Sequence, residues 1–169
     1  MFSYLGGWGI ECAVAGASEV YCVDSSVSAI EGVHRNAELN GVGDRVGSLQ
    51  GRAVEALKTL IADNEKFDIV VVDPPAFIKK RKDQKNGEAA YRHLNELAIR
   101  LLKRDGLLVS ASCSMPLAEE TLTEIVRGAS RHLDRNAQLV YRGHQGADHP
   151  VHPAIAETNY IKAQLFRLY

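Results

Sequence analysis

Cysteine is scarce in this chain. Cys12, Cys22 and Cys113 are the only three in 169 residues, and no two stand in C-x-x-C spacing. That excludes a disulfide-stapled scaffold and a cysteine-based zinc module, and it suits a reducing cytoplasm, the expected location. An excess of charge of either sign is also lacking. Lys plus Arg is 20 and Asp plus Glu is 21, a net charge of −1. A protein that holds nucleic acid by its own field is usually clearly basic, so any such contact must come from a local patch or from a domain outside this sequence. No apolar run approaches the ~20 residues of a membrane helix, and the N-terminal residues do not read as a signal peptide. Internal repeats, low-complexity tracts and linkers are absent. With 46% hydrophobic residues, the expectation is one ordinary globular domain over residues 1–169.

What is present is an alternation of strand and helix periods. Glu19–Asp24 reads as a strand, and Ser26–Asn40 as a helix opened by a serine cap and closed by Asn40-Gly41. Arg45–Gln50 is a short strand, and Ala53–Ala62 a helix with Val54, Leu57, Leu60 and Ile61 on one face. Phe67–Asp73 is the strongest strand, apolar on both faces as a buried parallel strand requires. Glu88–Lys103 reads as a helix, Leu107–Ser112 as a strand, Leu117–Leu133 as a helix, and Ala137–Arg142 and Tyr160–Leu168 as two closing strands. The fold class is therefore α/β, a Rossmann-like, doubly wound, mostly parallel sheet with an antiparallel C-terminal strand. Cys22 and Cys12 fall in a strand and a helix, as buried small hydrophobes. The residues before Gly6-Gly7 leave almost no room for the first, central strand. We expect that strand to be largely missing, and the chain to be part of a longer protein.

Asp73-Pro74-Pro75-Ala76-Phe77 follows the strongest strand directly. Proline cannot donate to a ladder, so a double proline ends the strand abruptly and leaves a carboxylate at its carboxyl end, where open α/β sheets bind ligands. Gly6-Gly7-Trp8-Gly9 precedes a short helix-like stretch, Ile10–Ala15, and lets a backbone approach a ligand closely. The spacing is not the dinucleotide fingerprint, and no Walker lysine follows. Asp24 closes the next strand about 20 residues on, the offset of a ribose-binding acid; it could instead cap the following helix, as could Ser25 or Ser26. Cys113 sits between Ser112 and Ser114 at the end of the strand expected beside the one ending in Asp73. In that setting a cysteine is either a nucleophile or an inert buried thiol. The run Lys79-Lys80-Arg81-Lys82, with Lys85, is either a solvated loop or a phosphate-binding patch. His144, His149 and His152 with Asp148 match no ligand pattern, and no metal is expected.

These residues resemble a known family. The chain looks like the catalytic domain of class I S-adenosylmethionine-dependent methyltransferases. In particular, it is similar to bacterial large-subunit (23S) ribosomal RNA cytosine-C5 methyltransferases that carry an N-terminal PUA domain. The stretches that carry the resemblance are Phe2-Ser3-Tyr4-Leu5-Gly6-Gly7, Val23-Asp24-Ser25, Asn36-x-x-Leu39-Asn40, Phe67-Asp68 through Phe77, Ser112-Cys113-Ser114, and Gln145 to Val151. The resemblance implies that Ser3, Gly6, Gly7, Asp24, Ser25 and Asp73 hold S-adenosylmethionine. Pro74, Pro75 and Phe77 would line the slot for the RNA base, and Lys79 and Lys80 would contact the RNA as well. Cys113 would add to cytosine C6 so that C5 can accept a methyl group, while Asp73 would bond the N3 edge and supply a proton.

The implied partners are RNA, bound mainly through a missing N-terminal domain, and a second copy of the chain in a homodimer. Two departures stand out. The first strand is nearly absent, and Gly51-Arg52-Ala53 stands where the family places an acid near the adenine. Other readings are a same-fold enzyme acting on another base without a covalent step, and a non-catalytic domain that binds cofactor or a partner.

Overall fold

The structure, a computed structural model, describes all residues from Met1 to Tyr169. It forms two compact units, Met1–Asp63 and Asn64–Tyr169.

The first unit runs α1 (Gly7–Val14), β1 (Val20–Asp24), α2 (Val27–Leu39), β2 (Val46–Gln50) and α3 (Ala53–Ala62). β1 and β2 pair in parallel, from Val20 opposite Val46 to Asp24 opposite Gln50. Ile10, Ala13, Cys22, Val33, Ala37, Val42 and Val46 form its core. Ser26 caps α2, its Oγ accepting the Ala29 N–H at 3.3 Å. α1 starts at Gly7, three residues before its apolar pattern, because Gly6 at φ 88° serves as its N-cap. At Gly9 a β-carbon would lie 2.6 Å from Cys22 Sγ and 2.9 Å from Val20, so only glycine lets α1 pack this closely on β1. Cys22 is buried as expected, whereas Cys12 is half-exposed, because the buried face of α1 is Ile10 and Ala13.

The second unit contains β3 (Phe67–Val72), α4 (Gln84–Arg100), β4 (Leu102–Ser112), α5 (Glu119–His132), β5 (Ala137–Gly143) and β6 (Lys162–Leu168). Its sheet has the order β3-β4-β6-β5. β3 and β4 are parallel, and β6 runs antiparallel to both β4 and β5. The closing strand is thus the antiparallel one, as the loop joining the last two strands predicts. One point corrects the sequence reading. β3, expected to be buried on both faces, stands at the end of this strand order, and Ile69 is 44% exposed. Residues 1–5 form a turn instead of a strand, and the strands hydrogen-bond as two sheets.

Two boundaries also differ. α4 begins at Gln84, four residues before the expected start, and tolerates Gly87 because that position is packed against Ile78, 2.2 Å from where a β-carbon would lie. Lys103 belongs to β4 and not to the helix. β4 starts at Leu102 opposite Phe67, then bulges through Asp105 (φ 63°) before Leu107 meets Ile69. Lys103 Nζ clamps this bulge to Asp68 at 2.9 Å. Ile78, Tyr91, Leu117, Leu122 and Ile125 form a core under the β3 and β4 exits, and each contributes roughly 1.5–3 kcal/mol of burial.

Candidate active site

In the first unit the candidate residues are held by the backbone around them. Both oxygens of the Asp24 carboxylate are engaged. Oδ2 accepts the Tyr4 N–H at 2.9 Å and Oδ1 accepts the Ser26 N–H at 3.0 Å. The helix cap is Ser26, so Asp24 instead pins the loop before α1 to the loop after β1. Each carboxylate oxygen keeps a second lone-pair direction for a hydroxyl. The Ser3 N–H donates to Val23 O at 2.9 Å, and the Gly6 N–H to Ser3 O at 2.8 Å. Phe2 and Tyr4 lie at φ 59° and 48°, a conformation that costs of order 1 kcal/mol per residue, and these hydrogen bonds hold it in place. Ser3 Oγ is buried without a hydrogen-bond partner, and nothing lies within 4 Å of a β-carbon placed at Gly7. A spare polar atom, an open backbone and a half-buried carboxylate fit a polar, hydroxyl-bearing ligand. Ser25 is exposed beside them. Arg52, in the position noted above, is exposed and 3.6 Å from Glu55.

In the second unit the parallel register of β3 and β4, Val72 opposite Ser110, brings the two strand exits side by side. Cys113 Sγ lies 3.9 Å from Pro74 O. Asp73 and Cys113 are half-buried, Pro75 is exposed, and Pro74 is buried with its carbonyl toward the thiol. Phe77 is half-buried with its ring 4.8 Å from that of Tyr91, tilted by 50°. Lys79 and Lys80 are exposed ahead of a short 3-10 turn, Arg81–Asp83.

The hydroxyls flanking Cys113 do not line the site. Ser112 and Ser114 point into the core, where the Tyr91 hydroxyl meets their Oγ atoms at 2.7 and 2.9 Å. Ser114 Oγ also accepts the Ile78 N–H at 3.1 Å, and Ser112 Oγ the Ser114 N–H at 3.0 Å. The chain after β3 and the chain after β4 are thus tied through Tyr91, and Cys113 is the outward residue between two inward ones.

Lys162 escaped the sequence reading. It is 9% exposed, and its Nζ donates to Ser114 O at 2.9 Å. Burial lowers its pKa from the ordinary lysine value, opposed by electrostatic interaction with Cys113 and Glu119. A signal existed: Lys162, Gln164, Phe166 and Leu168 recur at period two and are the buried face of β6. In the histidine loop, His149 Nδ1 lies 3.0 Å from Asp148 Oδ2, and no group of three or more potential metal ligands is gathered.

A glycine turn that opens a helix, an acid at one strand end and a D-P-P motif after another mark this mostly parallel α/β fold, and the solved structures match the fold. The fold is that of SAM-dependent methyltransferases. A Streptococcus mutans protein provisionally described as one superposes with a TM-score of 0.84 over 98% of this chain and 43% of its own, at 16% identity. SMU.776, provisionally described as a methyltransferase and complexed with SAH, gives the same values.

Residues 1–132 match the family described as Conserved hypothetical protein 95, and the chain belongs to that family. A Methanocaldococcus jannaschii protein, named provisionally as a ribosomal RNA large subunit methyltransferase, is 38% identical over 165 residues, covering 96% of this chain and 42% of its own. Ribosomal RNA large subunit methyltransferase I of Escherichia coli is 32% identical over 162 residues, covering 95% and 41%. The chain spans about two-fifths of the length of these curated relatives.

Proposed function

We propose that the chain transfers a methyl group from S-adenosylmethionine to C5 of a cytosine in ribosomal RNA, through a transient bond between Cys113 and the base. The observation that carries this reading is the approach of Cys113 Sγ to the Asp73-Pro74-Pro75 turn, 3.9 Å from Pro74 O. The names of the two sequence relatives support ribosomal RNA as the substrate. Ser3, Gly6, Gly7, Asp24 and Ser25 would hold the cofactor. The orphaned Ser3 Oγ and the open face of Gly7 favour it, and Asp24 has acceptor capacity for ribose hydroxyls.

S-adenosylmethionine supplies an electrophilic methyl group. Cytosine C5 is too weak a nucleophile to take it unaided, and the protein's part is to change that. The Cys113 thiolate forms a bond to C6, and the C5–C6 π electrons shift toward N3, which takes a proton from Asp73. C5 is then enamine-like and accepts the methyl group. Loss of the C5 proton to a base and departure of Cys113 restore the ring, and the N3 proton returns to Asp73. Pro75 and Phe77 would border the slot for a base taken out of its stack. Lys79 and Lys80 would meet the phosphates, with RNA affinity supplied mainly by a domain outside this sequence. A homodimer belongs to the same reading.

The test is methyl transfer from labelled S-adenosylmethionine to unmodified large-subunit RNA by the wild-type chain and by Cys113→Ala. We expect label on C5 of a cytidine with the former and none with the latter. Retained transfer by Cys113→Ala would point to a non-covalent enzyme acting on another base.

A further inference from the structure

The polar cluster behind Cys113 contains a charge that the proposed chemistry does not yet use. Lys162 is the first residue of β6 and stands directly opposite Ser112 in the antiparallel β4–β6 register, so Cys113 is the next residue beyond that pair. A lysine this buried is uncommon, and buried charges are normally paired with an opposite charge. The hydrogen bond from Lys162 Nζ goes to a neutral acceptor, the Ser114 carbonyl. That bond orients the ammonium without neutralising it. Two acidic side chains interact with it electrostatically. Glu119, at the start of α5, already lies 3.4 Å from Arg142 of β5 and is shared with it. The other is Cys113. The remaining groups around the cluster are the Asp73 carboxyl at the end of β3, which when ionised disfavours a thiolate and when protonated leaves it unopposed, and the Tyr91 hydroxyl of α4, taken up by Ser112 and Ser114.

We infer that Lys162 is a positioning residue for Cys113: its buried ammonium, fixed by the Ser114 carbonyl, stabilises the Cys113 thiolate. The thiol proton passes to solvent or to a neutral Lys162, and the reactive form of the pair is ammonium and thiolate. The desolvation of Lys162 works in the same direction, because an ammonium with little water around it gains more from a nearby anion. The catalytic use of the thiolate rests on the methyl-transfer reading above, but the coupling between the two side chains does not.

The test therefore uses neither RNA nor cofactor. The rate of iodoacetamide alkylation at Cys113 is followed by peptide mass spectrometry from about pH 5 to about pH 10, the range in which thiols titrate. Cys22 serves as an internal control, since burial raises its pKa. In Lys162→Met the Cys113 inflection should move up by about one pH unit or more, the size of a lost close charge, and Lys162→Arg should recover most of that shift. An unchanged inflection in a Lys162→Met protein with native near-ultraviolet dichroism would overturn the inference, even if the variant were less stable.

Should Lys162→Met fail to fold, the reciprocal experiment decides. In 13C-lysine NMR, Cys113→Ala should lower the Lys162 inflection further, because the electrostatic interaction with Cys113 is one of the influences raising it. An unmoved Lys162 would refute the coupling. A positive result in either experiment together with absent methyl transfer would leave this inference standing and reject the proposed function.

Discussion

The two units fix their candidate residues by opposite means. In Met1–Asp63 the backbone does it: Asp24 is held by the N–H groups of Tyr4 and Ser26, and Gly6 by the carbonyl of Ser3. Here Ser3 Oγ is buried without a partner, and space is open beside Gly7. In Asn64–Tyr169 a buried side-chain network does it. Tyr91, Ser112, Ser114 and Lys162 are all buried, and only Cys113 turns outward. The first arrangement leaves polar capacity unfilled, whereas in the second the buried polar side chains satisfy one another. Substitutions should therefore separate binding from chemistry unit by unit.

The largest effect should come from Cys113→Ala, which we expect to lower methyl transfer at least ~10³-fold, the scale of losing a covalent nucleophile. Its affinity for S-adenosylhomocysteine, measured by calorimetry, should stay at the wild-type value. Asp24→Ala should do the reverse. Loss of a charged acceptor, worth about 1.5–3 kcal/mol, should weaken S-adenosylhomocysteine roughly 10- to 100-fold while leaving Cys113 alkylation unchanged. If both properties fell together in either variant, the division between the units would be wrong.

Tyr91→Phe removes the hydroxyl that joins Ser112 and Ser114, leaving each serine only its backbone N–H partner. Urea unfolding should show a loss of about 1–3 kcal/mol, with cofactor affinity unaffected. Gly7→Ala is the sharpest probe of the first unit. Space is open there and the residue lies in the first turn of α1, so stability should hold or rise by up to about 1 kcal/mol while S-adenosylhomocysteine binds more weakly.

The smallest effect concerns pH. Lys162 has a folded pKa below the ordinary value of 10.5, so between those two values the unfolded chain binds a proton that the folded chain does not. Stability of the wild type relative to Lys162→Met should therefore rise with pH through that window, as paired urea titrations would show.

The sequence made the elements legible where composition is local. Ala53–Ala62 and the strand from Phe67 follow directly from periodicity, and Ser26 announces its helix. The double proline located the end of β3, and the parallel pairing with β4 placed Cys113 beside it. What could not be read depends on distant residues. Lys103 looks helical until Phe67 and Asp68 draw it into the sheet. The edge position of β3 reflects which strands are hydrogen-bonded, a property of the whole sheet and not of an apolar run. Ser112 and Ser114 look like activating neighbours of a thiol, and only the fold shows that Tyr91, 21 and 23 residues back, has claimed both. Lys162 was hidden because a lysine in a strand suggests a solvent face. Its parity with Phe166 and Leu168 was the readable clue.

The central claim, methylation of a ribosomal cytosine through Cys113, is tested most directly in the cell. Large-subunit ribosomal RNA from a strain lacking the gene is compared by mass spectrometry with RNA from the same strain carrying either the wild-type or the Cys113→Ala gene. The account predicts one methyl group missing from C5 of a single cytidine in the deletion, restored by the wild-type gene and not by Cys113→Ala. An unchanged methylation pattern in the deletion, or full restoration by Cys113→Ala, would contradict it.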